Sequence, residues 1–187
     1  MKTALILITL SVSFANVSNA SEAINLTVKT HETLKLKKVS KDRFEKISDA
    51  ATGIVQLDYI NGATSKNLMS KEINESDTTT VISYEVTGKN ILKIEDSKEA
   101  ISQEVEAEIS KSFFGTLKSI KISSETMQSL YSASIKKSGL DLLKNLKVLG
   151  AGASISSTVT STDMDCKADG DLLTCEQDAT LALVIEK

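Results

Sequence analysis

Cys166 and Cys175 are the only cysteines in a chain of 187 residues, and they bracket a strong turn signal, Asp169-Gly170-Asp171. A covalent bridge leaves little freedom in how the flanking strands align, so this pair constrains the fold more than any other feature. With Gly170 and Asp171 as the loop, Asp169 faces Leu172 and Cys166 faces Cys175 directly. Counted from the turn, that pair falls on a non-hydrogen-bonded site, where cross-strand side chains lie closest. A four-residue loop over 169–172 gives the same pairing. A type I′ turn centred on Asp169-Gly170 would instead put Leu173 opposite Cys166. The disulfide thus selects the register. Neither a zinc knuckle nor the C-x-x-C of a redox centre has this spacing, and the only histidine, His31, is remote in sequence.

The register carries a consequence for the rest of the C-terminal segment 153–186. Ile155 and Val159 are odd-numbered, and so are Leu181, Leu183 and Ile185. Pairing 166 with 175 matches odd positions to even ones. Direct partners share a sheet face, so both apolar sets can point inward only if one residue is inserted. The hairpin is therefore expected to carry a β-bulge between the disulfide and its base.

A disulfide belongs to an oxidising compartment, and the N-terminus reads as the matching address. Lys2 is followed by an uncharged, mostly apolar run, Ala4 to Val17, and by Ser18-Asn19-Ala20. Small residues one and three positions before a cut suit signal peptidase. The run is too short and too interrupted by Ser11, Ser13 and Asn16 to span a bilayer. The expected organisation is a cleaved signal peptide, 1–20, followed by a single domain, 21–187, exported to the periplasm or outside the cell. No later apolar run approaches a membrane span, so no transmembrane anchor is expected in the mature chain.

Hydrophobic periodicity supplies the elements. Ile24, Leu26, Val28, Leu34 and Leu36 share even positions, so 23–38 reads as a long half-buried strand or a strand with a local kink. Ser40 can cap a short helix over 41–51 with Phe44, Ile47 and Ala51 on one face, stopped by Gly53. A strand follows over 54–60. Residues 61–78 are polar and weakly patterned and read as a mobile loop with one helical turn around Leu68. Segments 79–86 and 90–95 make a hairpin about Thr87-Gly88-Lys89. Residues 98–110 fit either class; strand is preferred, with Ile101, Val105, Ala107 and Ile109 on one face and Glu104, Glu106 and Glu108 on the other. Its hairpin partner follows Phe113-Phe114-Gly115. Ser123 or Ser124 caps the best helix, expected to run to about 148 with a break or kink at Ser138-Gly139. The expected fold is α+β: a curved antiparallel sheet of about six to eight strands packed on one long amphipathic helix and ending in the disulfide-bridged hairpin.

Chemistry is sparse. A Ser-His-Asp triad would need His31, which lies on the strand phase opposite Leu34 and Leu36 and so faces solvent. The chain has no G-x-S-x-G, no H-E-x-x-H, no G-x-x-x-x-G-K and no G-x-G-x-x-G. Carboxylate pairs such as Asp58 with Glu85, or the row Glu104, Glu106 and Glu108, read as solvated charge. Asp163, Asp165, Asp169 and Asp171 crowd the disulfide hairpin and form a weak calcium candidate, though Lys167 stands where an EF-hand would place a ligand. No other metal and no cofactor is expected. A net charge of −3 without a long basic block argues against nucleic acid, and only 4% aromatic residues leave few stacking platforms. The expected function is a non-catalytic exported binding protein holding a lipid or similar small apolar ligand between sheet and helix, against Met127, Leu130, Tyr131 and Ile135. The alternative is an envelope or extracellular protein that binds another protein through 61–78 or the acidic hairpin tip, or serves structurally. A hydrolase is a distant third.

Overall fold

The computed structural model describes residues 22–147 and 152–186. The expected signal peptide, Met1 to Ala20, lies outside the described residues, as does Gly150 at the expected end of the helix. The described chain forms eleven strands and one helix: β1 Glu22–Lys38, β2 Arg43–Asn61, β3 Thr64–Asp77, β4 Ile82–Val86, β5 Ile91–Asp96, β6 Ile101–Glu106, β7 Glu108–Lys111, β8 Leu117–Ile122, α1 Ser124–Asn145, β9 Ser154–Ser161, β10 Met164–Asp169 and β11 Leu172–Glu186.

All strands join one antiparallel sheet in the order β6-β5-β4-β2-β1-β11-β10-β8-β7, with β3 beside β2 and β9 beside β11. The two ends of that order are consecutive in the chain. One extended segment pairs with β5 through Glu106 and with β8 from Glu108, changing partner at Ala107, whose N–H donates to the Asn90 carbonyl at 3.0 Å. The sheet therefore nearly closes on itself as a barrel.

This overturns the α+β expectation. Period-two segments need a cover for their apolar face, and a sheet of six to eight strands was expected to find it in the helix. Here the sheet curls and its own inner faces meet: Leu26, Leu36, Leu57, Tyr84, Leu92, Ile94, Ile120, Ile122 and Leu173 are fully buried. The outward row of β1 is polar, with Asn25, Thr27, Lys29, His31, Thr33, Lys35 and Lys37. That is the reverse of a membrane-spanning barrel, whose apolar band faces out. Among the described residues no helix is long and apolar enough to cross a membrane.

Two further expectations fail for a local reason. Residues 41–51 are not helical but belong to β2. A register shift opposite Lys35 and Leu36 makes Ile47 an extra residue, so Phe44 and Ala51 both point inward although seven positions separate them. The bulge imitates helical spacing, and Ile47 itself is exposed. Gly53 does not stop a helix. It lies opposite Thr30 in β2, where a Cβ would stand 2.0 Å from the Lys29 carbonyl oxygen. Residues 61–78 are mainly β3, an outer strand in which only Met69, Ile73 and Asp77 are buried. So few inward residues leave almost no periodic signal.

Other expectations hold. β1, the β4–β5 hairpin, the strand assignment of 98–110 and the β7–β8 hairpin are all present. The Cys166–Cys175 disulfide is formed, with Cα atoms 3.9 Å apart and Gly170-Asp171 as the turn between Asp169 and Leu172. Gly170 takes a positive φ of 60°, which favours glycine. The bulge is present too. β10 pairs Asp165 with Glu176 and β9 pairs Ser161 with Ala179, so residues 162–164 oppose 177–178.

α1 is capped by Ser123, whose hydroxyl accepts from Thr126 N–H at 3.3 Å. It runs unbroken through Ser138-Gly139. Its buried stripe, Met127, Tyr131, Ile135, Gly139 and Leu142, repeats near four residues and rests on β9 and β11, with further contact to β6. Gly139 is a point of contact rather than a kink.

Candidate functional site

Met127, Tyr131 and Ile135 are buried and Leu130 half-buried on α1. A Cβ at Gly139 would come within 2.5 Å of Leu181 and 2.7 Å of Leu183, so helix and sheet meet directly at that level. A ligand between them there would have to lift α1.

The four aspartates do not converge. Asp163 accepts from Ser124 N–H at 2.8 Å and pairs with Lys121 at 3.0 Å, which together hold its carboxyl below the usual range. Asp165 projects from β10, and Asp169 lies four residues further along that strand, about 13 Å at strand rise. Among the described residues no group of three or more His, Cys, Asp or Glu could hold a metal ion. His31 is exposed, as its strand phase implied, and its Nδ1 lies 2.9 Å from Asp178 Oδ1 on the facing strand β11. Asp58 binds Gln56 and Asn67, whereas Glu85 pairs with Arg43, so these two carboxylates serve different neighbourhoods.

The barrel interior holds polar groups that periodicity did not single out. Glu32 is 8% exposed, and its Oε2 is buried without a protein hydrogen-bond partner. Burial pushes its carboxyl up to about 7 from an ordinary 4.5. Nearby, the wholly buried Lys46 ammonium sits 3.3 Å from Asp49 and 3.5 Å from Asp77. The Tyr131 hydroxyl donates to Asp96 at 3.4 Å and that of Tyr84 to the Met164 sulfur at 3.2 Å. Burial, with Asp96 among the neighbouring charges, pushes both hydroxyls upward. The space beside Glu32, Asp49, Asp77 and Met164 is about 20 Å³, room for about one water molecule. It admits no substrate. The parity of Glu32, shared with Leu34 and Leu36, was the sequence signal for its burial.

One end of the barrel is different in character. The β1–β2 loop, the β4–β5 turn, the β7–β8 tip and the β10–β11 turn are tied into one rim. Lys38 N–H donates to the Asp171 carbonyl at 2.8 Å, Val86 N–H to the Asp42 carbonyl at 2.8 Å, and the Lys111 ammonium to the Asp42 carboxylate at 3.0 Å. From this rim project Phe113 and Phe114, 98% and 91% exposed, and Val39 and Leu172, on the neighbouring β1–β2 and β10–β11 connections, are exposed as well. The two rings stand edge to face, centroids 5.5 Å apart. In the sequence the pair signals only a hairpin. Its sequence mark was two adjacent aromatics before a glycine in a chain of four Phe, three Tyr and no Trp.

Compared with protein-family models, with curated proteins and with solved structures, the chain matches none. What the fold and the rim define is a class: a self-filled, nearly closed β-barrel with an exposed aromatic tip.

Proposed function

We propose that this chain is an exported, non-catalytic contact protein that works through the rim bearing Phe113 and Phe114. The observation that carries this is their exposure. Two neighbouring phenylalanines outside any core forgo burial worth roughly 1.5–3 kcal/mol each, and an exposed aromatic pair marks an interaction site. Support for export comes from the signal-like segment 1–20 and the Cys166–Cys175 bridge. Support for a non-catalytic role comes from the interior, where the polar groups line only a one-water space, and from His31, paired with Asp178 on the outer wall. The partner surface moves from 61–78, which is strand β3, to the rim. A lipid between sheet and helix is not invoked, because α1 meets Leu181 and Leu183 directly.

Fractionation of host cells producing the wild type or a Phe113→Ser/Phe114→Ser variant tests this. The wild type is expected outside the cytoplasm, processed after Ala20 and associated with envelope or extracellular material, and the variant free of that material. Identical distribution of the two proteins would reject the contact site. A wild type retained unprocessed in the cytoplasm would reject export.

A further inference from the structure

We propose that the partner of this rim is an anionic lipid surface, on which the barrel docks end-on with Phe113 and Phe114 entering the headgroup region. The proposal rests on the contact function assigned to the same rim and names its partner.

The shape of the tip is the first reason. Ser112 N–H donates to the Thr116 carbonyl at 2.7 Å, Gly115 N–H to the Ser112 carbonyl at 2.9 Å, and Thr116 N–H to the Ser112 hydroxyl at 3.1 Å. Gly115 adopts a positive φ of 78°. The turn is thus held by its own backbone, and the two rings project from a narrow convex point. A protein partner of ordinary affinity needs a patch of about 800 Å² on each side. A convex aromatic point suits insertion between lipid headgroups, where amphipathic surfaces carry Phe and Leu over a ring of basic residues.

The charge around the tip is the second reason. The rim segments 37–42, 86–90, 111–118 and 169–172 contain six lysines, Lys37, Lys38, Lys41, Lys89, Lys111 and Lys118, against three aspartates, Asp42, Asp169 and Asp171. The whole chain nevertheless carries −3. The basic excess is therefore local, and the remainder of the molecule is acidic. Near an anionic bilayer the rim is attracted and the body repelled within about a Debye length, roughly 8–10 Å. This orients the barrel with its strands away from the surface. Lysine stems can also lie along the apolar zone while their ammonium groups reach the phosphates. The polar outer wall of β1 keeps the contact at the end of the barrel rather than along its side.

The chain has no tryptophan, so Phe114→Trp supplies a single reporter on the tip. The disulfide-bonded full chain is mixed with vesicles of phosphatidylglycerol and phosphatidylcholine, or of phosphatidylcholine alone. Flotation measures binding and tryptophan emission measures insertion. The expected result is flotation and a blue shift with the anionic vesicles only, binding weakened by about 0.5 M salt, and a loss of about tenfold in the Phe113→Ser/Phe114→Ser variant. That variant keeps residues 4–17, so undiminished binding by it would be attributable to the apolar N-terminus and would overturn the tip assignment. Equal, salt-insensitive binding to phosphatidylcholine would overturn the role of the lysines. No binding to anionic vesicles would overturn the lipid partner. If envelope association still required the phenylalanines, the contact function would survive with a protein partner. Unchanged thermal unfolding of the variants confirms that the fold is intact.

Discussion

Gly139 of α1 and Leu181 of β11 meet so closely that a β-carbon at position 139 would lie 2.5 Å from a Leu181 methyl. Leu183 stands nearly as near, at 2.7 Å, and both leucines are buried. In an isolated helix, replacing glycine gains helix propensity, about 1 kcal/mol for alanine. Here a larger side chain must displace the packed Leu181 and Leu183 methyls or shift α1. Gly139→Val is expected to destabilise the protein by about 2 kcal/mol. Urea unfolding reads it, and an increase in stability would mean that α1 is not seated as described.

Gly53 presents a harder limit, because the atom it approaches is backbone. An alanine Cβ would stand 2.0 Å from the Lys29 carbonyl oxygen and 3.0 Å from the Thr30 Cα. Neither atom can move without parting β1 from β2. Gly53→Ala is expected to cost at least about 3 kcal/mol, seen as a lowered urea midpoint or as loss of folded protein on expression. Unchanged stability would count against this β1–β2 register.

Glu32 makes stability depend on pH in an unusual direction for a carboxylate. Its folded value is raised to about 7, so the folded state holds the proton more tightly than the unfolded chain does. The stabilising contribution is fully present below the unfolded value near 4.5 and is lost as pH rises through about 7. The loss is about 3 kcal/mol at roughly 1.4 kcal/mol per pH unit. Glu32→Gln is expected to flatten this slope and to be the more stable form at pH 8. Parallel slopes in the two proteins would contradict it.

The disulfide closes a short loop, with a sequence separation of 9. By chain entropy it stabilises by roughly 2–3 kcal/mol. The Cys166→Ala/Cys175→Ala variant is expected to melt about 4–12 °C lower, taking about 2–4 °C per kcal/mol for a chain of this size. Calorimetry of the oxidised wild type and the variant measures it. The hairpin itself should persist, since the Gly170-Asp171 turn and the pairing of β11 with β1 do not need the bridge.

The parts of the fold legible in the sequence share a cause. β1 alternates without interruption over its core positions, and the inward phase of Ile24, Leu26 and Val28 continues to Leu36. The bulge near Thr162 followed from two parities and one covalent bond. β2 and β3 are not legible where that simplicity fails: Ile47 as an extra residue gives β2 a helical look, and β3 buries too few residues to show a period. For the rim, Phe113 and Phe114 were visible as residues, but their exposure was not. Adjacent aromatics beside a strand read equally well as core.

By itself the sequence determined whatever depends on neighbours along the chain: the alternation of β1, a helix cap at Ser123 or Ser124, a tight turn about Gly170, and the register that pairs Cys166 with Cys175. Only the tertiary structure decided how the sheet ends meet at Ala107, that the sheet curls to bury its own inner faces, that Phe113 and Phe114 both stay in solvent, and that Glu32 is buried. Each of these is a matter of enclosure. Burial and desolvation belong to the whole closed sheet, and no window of sequence contains the strands that complete it.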